Sequence, residues 1–358
     1  MLEFVHRLFG RSRSNLSVPI LDGAFKPNNL LEDAEVILEK PGLEDMALAP
    51  DGRLFLAAGS EVLAFDGKST QVITRHDSLI TALAVLVNGH HAVALGDRII
   101  VQGRPPITRA ADRSFKAITA LTPDSGGRIL VCDASADHTC DKWQYDLMNK
   151  GNTGRLVILD PVSGNAELLH DRLGWPCGTL PTTTGTLISE SWRHRLRWAG
   201  KGDASVELPG YPARITPTAD GGFWLSLFSG RTQIVEFILS ENVFRAEMMA
   251  TIDPKYWVCP ALSSGEDFLE PMQSGGVKNM GILKPWAPPR SYGLAVRFTA
   301  DRNPLMSVHS RVGGRNHGIV TTLEKGNDVY ALSKGAGRLL RLDLQAIRAS
   351  NGLEGSSK

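Results

Sequence analysis

Three chemically reactive side chains share a local sequence setting, because each lies beside a short apolar segment. Glu44 lies in "GLEDMAL", Cys177 in "WPCGTL" and His317 in "NHGIVTTL". A thiol, an imidazole and a carboxylate are the types that form a nucleophile, its base and the group that orients the base. Simpler interpretations stay open: the thiol fills space, the imidazole bonds a carbonyl at a strand end, and the carboxylate bonds backbone amides.

The elements that must position these side chains are short apolar strands joined by polar turns. The clearest copy is "LEDMALAPDGRLFLAAGSEVLAFDG", residues 43–67. Its hairpins are centred on Gly or Asp-Gly, where a positive φ costs little. Five further copies begin near residues 80, 117, 177, 208 and 317. Six such units predict an all-β fold, a six-bladed β-propeller, with a β-sandwich as the rival.

The repeat also predicts the organisation of the chain. The segment "AEVILEK" at 34–40 is expected to pair with the last blade and close the ring. The fifth copy is expected to continue as a strand through "SGRTQIVEFIL". A lid-like insertion at 240–290, with a helix near 242–250, is expected between blades five and six. The predicted regions are an N-terminal extension at 1–33, the propeller at 34–345 and a C-terminal tail at 346–358.

Composition excludes several classes of function. Lys and Arg number 39 and Asp and Glu 38, so there is no basic footprint for nucleic acid. The apolar runs are too short for a transmembrane segment. The 4 cysteines show no disulfide framework, and the first residues lack a secretory signal, so a cytoplasmic location is expected. The oligomeric state stays open.

Longer stretches resemble the strictosidine synthase-like family across roughly residues 35–345. "GRILVCDASADHTCDKWQYDLMNKGNTGRLVILDP" resembles its third blade, "LISESWRHRLRW" its fourth and "LPGYPARITPTADGGFWLSL" its fifth. The resemblance implies a six-bladed propeller with a site at one end of the channel. Its wider relatives include gluconolactonases and paraoxonase-type lactonases, which hold one Ca²⁺ on the axis. The plant synthases use a glutamate of the sixth blade instead.

Carried over residue by residue, the resemblance implies an eroded metal site. Glu44 matches the acidic ligand of the first blade. Ala117, Cys177 and Ala213 stand where the family has asparagine, asparagine and aspartate. Ca²⁺ takes six to eight oxygen ligands, which one carboxylate, two methyl groups and a thiol do not supply. No metal or other cofactor is therefore expected, and Ca²⁺ is the weaker alternative.

The same comparison suggests residues for substrate. His317 lies near the position of the synthases' catalytic glutamate, where an imidazole acts as a general base near neutral pH. Asn316 and Arg315 beside it are expected to hold a polar or anionic substrate. Trp143 of the "KWQYD" motif and Trp257 of the insertion are expected to line the site.

Two functions follow from these residues. The first is metal-independent hydrolysis of an ester or lactone at the channel mouth, with His317, Cys177 and Glu44 as catalytic candidates. The alternative is a non-catalytic propeller that binds a small molecule or serves as a scaffold. Strictosidine-type condensation loses its support because histidine stands near the position of the glutamate.

Overall fold

The computed structural model describes residues 18–200, 207–260, 262, 278–279, 282–283, 292–310 and 314–353. Within these ranges the strands form six antiparallel sheets of three or four strands and two short hairpins. The first strands of the six sheets contact one another in a ring. The predicted all-β, six-bladed β-propeller is therefore confirmed. No described helix is both long and apolar enough to cross a membrane.

Blades one to three follow the chain in order after the first strand, β1 (Glu35–Glu39), which belongs to the sheet of blade six. Blade one consists of β2 (Leu43–Leu48), β3 (Leu54–Ala58), β4 (Glu61–Phe65) and β5 (Thr70–Arg75). Blade two consists of β6 (Ala82–Val85), β7 (His91–Ala94) and β8 (Ile99–Val101), and the hairpin β9 (Arg109–Ala110) and β10 (Arg113–Ser114) follows it. Blade three consists of β11 (Ile118–Pro123), β12 (Ile129–Asp133), β13 (Gly154–Leu159) and β14 (Ala166–Leu173).

Blades four to six complete the ring. Blade four consists of β15 (Pro176–Thr182), β16 (Gly185–Glu190) and β17 (Arg195–Trp198). Blade five consists of β18 (Gly210–Pro217) and β19 (Phe223–Gly230) and, beyond the hairpin β20 (Lys278–Asn279) and β21 (Ile282–Leu283), of β22 (Leu294–Phe298) and β23 (Pro304–His309). Blade six consists of β24 (Ile319–Lys325), β25 (Asp328–Ser333) and β26 (Arg338–Asp343), and β1 pairs antiparallel with β26.

Four α-helices decorate the sheets in the described part of the chain. They are α1 (Trp143–Met148), α2 (Gln233–Ser240), α3 (Asn242–Thr251) and α4 (Leu344–Ser350). Short 3-10 helices lie at Gly23–Phe25, Cys140–Lys142, Ser191–Arg193 and Pro254–Tyr256. The helix expected near 242–250 is therefore present as α3.

The insertion is not where the sequence suggested. It interrupts blade five between its second and third strands, because β22 pairs with β19, so its predicted place between blades five and six is wrong. The strand predicted through "SGRTQIVEFIL" is also wrong beyond Gly230, since this segment turns into α2. The side chain of Thr232 accepts from the Val235 amide and caps that helix, while Val235 and Ile238 are buried.

The apolar core is divided into six wedges, each between two neighbouring blades. Between blades one and six, for example, Leu54 and Leu56 pack with Leu332. Comparable clusters fill the five other gaps between blades. Middle strands are buried on both faces for this reason, as in β3, where all five residues are buried. The sequence of β3, LFLAA, is therefore a continuous apolar run.

Around the channel, side-chain hydrogen bonds join neighbouring blades. Thr81 Oγ1 donates to the Ile118 carbonyl over 2.6 Å, from blade two to blade three. The other donors to the following blade are Thr119 to the Pro176 carbonyl, Ser189 to the Ala213 carbonyl and Thr216 to the Thr322 carbonyl. From blade six, Thr321 Oγ1 donates over 2.8 Å to the Asp45 carboxylate, which returns the ring to blade one.

The Asp45 carboxylate accepts hydrogen bonds from residues of three other blades. This buried group accepts from Thr321 of blade six, from the Leu83 amide of blade two at 3.0 Å, and from Arg214 of blade five. The Arg214 guanidinium binds it through Nη2 at 2.8 Å and Nε at 3.1 Å. Arg214 also donates to the Cys177 carbonyl of blade four over 2.6 Å. This single ion pair therefore contacts five of the six blades.

Replacing Asp45 with Ala should destabilise the fold strongly. The substitution leaves a buried guanidinium without its carboxylate, which costs about 3–5 kcal/mol in comparable buried pairs. Glu35→Ala is the matched control, because Glu35 pairs with Arg341 at the surface, where solvent screening leaves such pairs little net contribution to stability. Urea unfolding curves of both variants measure the difference. Equal losses of unfolding free energy would show that the Asp45 pair does not hold the ring.

His309 should make the fold sensitive to acid. The ring is buried in blade five between the Tyr292 and Ser307 hydroxyls, each at 2.8 Å, and burial lowers its pKa from 6.5 to about 4. Between pH 6.5 and about pH 4, the unfolded chain therefore binds a proton at His309, whereas the folded chain does not. Stability should fall by about 3 kcal/mol as the pH drops through that range.

The control for this pH effect is His309→Gln, which keeps a hydrogen-bonding side chain but does not titrate. Urea unfolding between pH 7 and pH 4 should show a shallower loss of stability in this variant than in the wild type. Identical slopes would assign the acid sensitivity to other groups.

Candidate functional site

A cavity of about 180 Å³ lies at the end of the channel where the inner strands begin. Each of the six blades contributes to it the residue at the leading end of its inner strand. These residues are Glu44, Thr81, Thr119, Cys177, Ala213 with Arg214, and Val320. The beginnings of the inner strands thus converge on this cavity, which is the candidate site.

β-Bulges select which residue of each strand faces the cavity. In β2 the pairing with β3 passes from Leu43 directly to Asp45, so Glu44 is left out of the ladder. The residues left out in four other inner strands are Thr119, Cys177, Ala213 with Arg214, and Val320. A bulge rotates the extra residue away from the sheet. All of these bulged residues line the cavity.

The structure brings together four residues that the sequence indicated: Glu44, Cys177, Ala213 and Trp143. Ala117 is displaced from its expected position. It lies before β11, fully buried beside Trp175, and the bulge in β11 presents Thr119 to the cavity instead. The third-blade position was therefore assigned two residues too early.

His317 is not among the described residues that line the cavity. The bulge in β24 presents Val320 there, three residues further along the chain. The His317 ring is buried against Gly335, and its carbonyl accepts from Ser333 Oγ over 2.6 Å. The geometry gives no direct support to His317 as the base.

Asn316 and Arg315 fasten the chain before blade one to blade six. Asn316 Nδ2 donates to the Leu31 carbonyl over 2.7 Å, and the backbone amides of both residues donate to the Glu32 carboxylate. Neither residue lines the cavity among the described residues. Their predicted contact with substrate is therefore replaced by a structural role.

Trp257 belongs to the packing of the insertion rather than to the cavity. It is buried, its Nε1 donates to the Ile252 carbonyl over 2.9 Å, and its ring lies edge-on to Tyr145 of α1 at 4.8 Å. The insertion reaches the cavity through Pro260 and Leu262 instead. Trp257 thus secures the segment that provides this wall.

Aromatic rings form the largest wall of the cavity. They belong to Trp143, Trp175, Trp192 and Phe228. Trp175 and Trp192 are stacked with centroids 5.1 Å apart. Trp192 Nε1 donates over 2.8 Å to the buried Asp146 carboxyl, which holds the indole in place. Burial raises the pKa of Asp146, although the Ser135 and Trp192 donors act in the opposite direction.

The charged groups among the described residues of the cavity are two cations and a carboxylate. Lys334 Nζ lies 2.5 Å from Glu44 Oε1, with side chains 36% and 28% exposed, so solvent or a ligand reaches both. The Arg214 side chain is only 14% exposed. Burial opposes its charge, yet the adjacent Asp45 carboxylate raises the pKa of the guanidinium above its usual value. Arg214 therefore stays cationic.

The two cavity thiols are poor nucleophiles. Burial raises the pKa of Cys140 to about 12, and burial also raises that of Cys177 despite a hydrogen bond with Ser191. Because the thiolate is the reactive form, both groups are almost entirely protonated near neutral pH. The arrangement does not favour Cys177 as a catalytic nucleophile.

The residues present do not fit an axial Ca²⁺. Among the described residues, no cluster of three or more His, Cys, Asp or Glu side chains could hold a metal ion. The Asp45 carboxylate, the acidic group at the axis, already binds Arg214, and Lys334 already binds Glu44. A divalent cation would meet two positive charges in this cavity.

Asp45 and Arg214 are the functional residues that sequence reasoning missed. Asp45 follows Glu44 and Arg214 follows Ala213, two positions that the sequence assigned to the site. Both are charged residues within inner strands. A charge inside an otherwise apolar strand is a detectable signal, since it requires a buried partner. The sequence does not show that the two charges, 169 residues apart, are partners.

Comparisons with known proteins agree with the fold. A family described as strictosidine synthase-like, N-terminal, matches residues 23–60. Protein STRICTOSIDINE SYNTHASE-LIKE 7 of Arabidopsis thaliana is 25% identical over 244 residues, which cover 66% of this chain and 57% of that protein. Adipocyte plasma membrane-associated protein of Homo sapiens is 25% identical over 252 residues, covering 58% and 59%. The matched part thus spans less than two thirds of either relative.

Solved structures show the same architecture. A putative gluconolactonase superimposes with a TM-score of 0.54 at 11% identity, covering 87% of this chain and 91% of that one. A gluconolactonase from Xanthomonas campestris gives 0.54 at 12% identity, covering 86% and 88%. At such identities these likenesses show the fold alone. The chain is a six-bladed β-propeller with an axial cavity. Within that class its sequence is similar to strictosidine synthase-like proteins, the similarity that its motifs predicted.

The cavity thiols should react slowly with iodoacetamide. At neutral pH we expect Cys140 to be labelled at least ~100-fold more slowly than free cysteine, and Cys177 also more slowly, because so little thiolate is present. For Cys140 the rate should still rise with pH beyond the ordinary cysteine pKa of about 8.5. Mass spectrometry of labelled peptides measures this, with urea-unfolded protein as the control. Rapid labelling of folded protein would restore Cys177 as a candidate nucleophile.

Proposed function

We propose that the chain binds a small molecule in the axial cavity and hydrolyses an ester or lactone bond there without a metal ion. One observation carries this proposal. A carboxylate, Glu44, and a guanidinium, Arg214, line the same cavity as four aromatic rings. The rings suit an apolar or ring-shaped substrate, while the charged groups suit a reacting carbonyl.

Arg214 is the group proposed to polarise the carbonyl. Its Nη1 donates one hydrogen to the Cys177 carbonyl, and no described residue accepts the second. That hydrogen is available to a substrate carbonyl oxygen in the cavity. Because the guanidinium is fixed by Asp45 before the reaction, it stabilises the negative charge that develops on this oxygen. The protein thus supplies a cation for the step from its own side chains.

Glu44 is the proposed general base. It takes a proton from water as the water oxygen bonds to the acyl carbon, and the carbonyl electron pair moves to the oxygen that Arg214 binds. When the tetrahedral intermediate collapses, the bond to the alcohol oxygen breaks and the Glu44 proton passes to that oxygen. Lys334, at 2.5 Å, orients Glu44 before substrate arrives.

Binding without turnover is the second candidate. It is favoured by the ion pair between Lys334 and Glu44, because Lys334 already occupies a carboxylate oxygen of the proposed base. The protonated thiols offer no alternative nucleophile. In this case the aromatic rings of the cavity would bind the ligand, and the chain would act as a small-molecule-binding propeller.

Glu44→Gln and Arg214→Lys should each lower kcat/KM on an active ester or lactone by roughly 100-fold or more, as loss of a general base or an oxyanion donor does. Glu35→Gln and Arg341→Lys, which alter a surface ion pair, should leave the rate unchanged. EDTA should also leave it unchanged. The measurements are initial rates on a panel of aryl esters and lactones, with melting temperatures to verify folding.

The outcomes separate the two candidates. Activity that survives both cavity substitutions would refute the assigned roles. No turnover across the panel, together with ligands whose protection against thermal unfolding is lost in Trp192→Ala, would favour binding without turnover.

A further inference from the structure

The Arg214 guanidinium lies in a position surrounded by oxygen acceptors. Its partners are the Asp45 carboxylate, the Cys177 carbonyl at 2.6 Å and the Thr81 carbonyl at 3.4 Å. These oxygens come from the leading ends of the inner strands of blades one, four and two. A carboxylate and backbone carbonyls converging on one point are the ligands that a hard metal cation takes in proteins.

We propose that this position is a cation site occupied by the guanidinium of the chain itself. Arg214 neutralises Asp45, satisfies the two carbonyls and so excludes a diffusible divalent cation. When its side chain is shortened, the same oxygens become available to a hard cation such as Ca²⁺. This inference goes beyond the proposed hydrolysis, because it concerns what fills the axis whether or not the cavity turns over a substrate.

The oxygens would stay in place without the arginine. Asp45 is also held by the Leu83 amide at 3.0 Å and by Thr321 Oγ1 at 2.8 Å. The carbonyls of Thr81 and Cys177 belong to strand starts that the sheets fix. Glu44 lines the adjoining cavity but is already bound by Lys334, so water would complete the coordination. Loss of the guanidinium therefore leaves a preformed, negatively charged pocket.

The experiment compares the wild type with Arg214→Ala in thermal unfolding against calcium chloride. The series extends to ~10 mM, above the ~0.1–1 mM dissociation constants of weak protein sites. The wild type should not respond. Arg214→Ala should melt at a lower temperature, and calcium should raise that temperature by roughly 2–4 °C.

Binding is also read directly by terbium luminescence. Trp143, Trp175 and Trp192 line the adjoining cavity and would sensitise a bound lanthanide. We expect terbium emission, displaced by calcium, from Arg214→Ala and not from the wild type. The double variant Asp45→Asn with Arg214→Ala should lose both the emission and the calcium response, because the site has lost its carboxylate.

Arg155→Ala is the matched control. Arg155 is a guanidinium even more buried than Arg214 that binds Asp133 at 3.0 Å and the Ala110 carbonyl at 2.9 Å, but it lies outside the channel. Its variant should be destabilised without gaining the terbium emission that the cavity tryptophans sensitise. An equal emission from both variants would show that any buried carboxylate left unpaired recruits the ion, which would overturn a specific axial site.

Two other results would overturn the proposal. One is a wild-type protein that calcium stabilises as much as the variant. The other is a folded Arg214→Ala that binds neither ion. If Arg214→Ala does not fold in buffer, refolding yields with and without calcium decide instead. Recovery that depends on calcium and is lost in the double variant supports the site, and failure under both conditions contradicts it.

Discussion

The buried ion pair between Asp45 and Arg214 is the constraint on which the ring depends. The apolar core is split into wedges between blades, so each wedge holds only its two neighbours together. The pair alone contacts five blades, through Leu83, Thr321 and the Cys177 carbonyl. A buried pair carries a large desolvation cost, which is offset here because nearly every donor and acceptor around it is matched. The same ion pair therefore both closes the ring of blades and balances the buried charge at the axis.

Most of the fold could be predicted because its information is local. Each blade repeats apolar strands and Gly- or Asp-centred turns, and these can be read within about 25 residues of sequence. Glu44 and Cys177 were found at the site because their expected positions coincide with bulges. Ala117 and His317 were not, because a bulge depends on how two strands pair. In blades three and six the bulges present Thr119 and Val320 to the cavity, and these are not the residues that the sequence indicated.

What could not be predicted is non-local. The partnership of Asp45 and Arg214 joins residues far apart in sequence, and either charge alone reads as a misplaced polar group. The segment 233–240 carries Ile, Val and Phe, which favour a strand, but the capping side chain of Thr232 and burial against Tyr211 and Met248 make it a helix. The place of the insertion was missed for the same reason, because blade five is completed only by strands that return about sixty residues later.

The bulges also separate two roles of a strand residue, which are to hold the strand pairing of its blade and to present a side chain to the cavity. A side chain left out of the ladder can change without disturbing the strand pairing that holds its blade, since its neighbours carry the register. The channel end thus behaves as a set of interchangeable positions on a fixed frame, where Glu44, Thr119 and Val320 differ widely in chemistry yet share one backbone arrangement. Such a frame lets recognition diversify by single substitutions while the architecture is inherited unchanged.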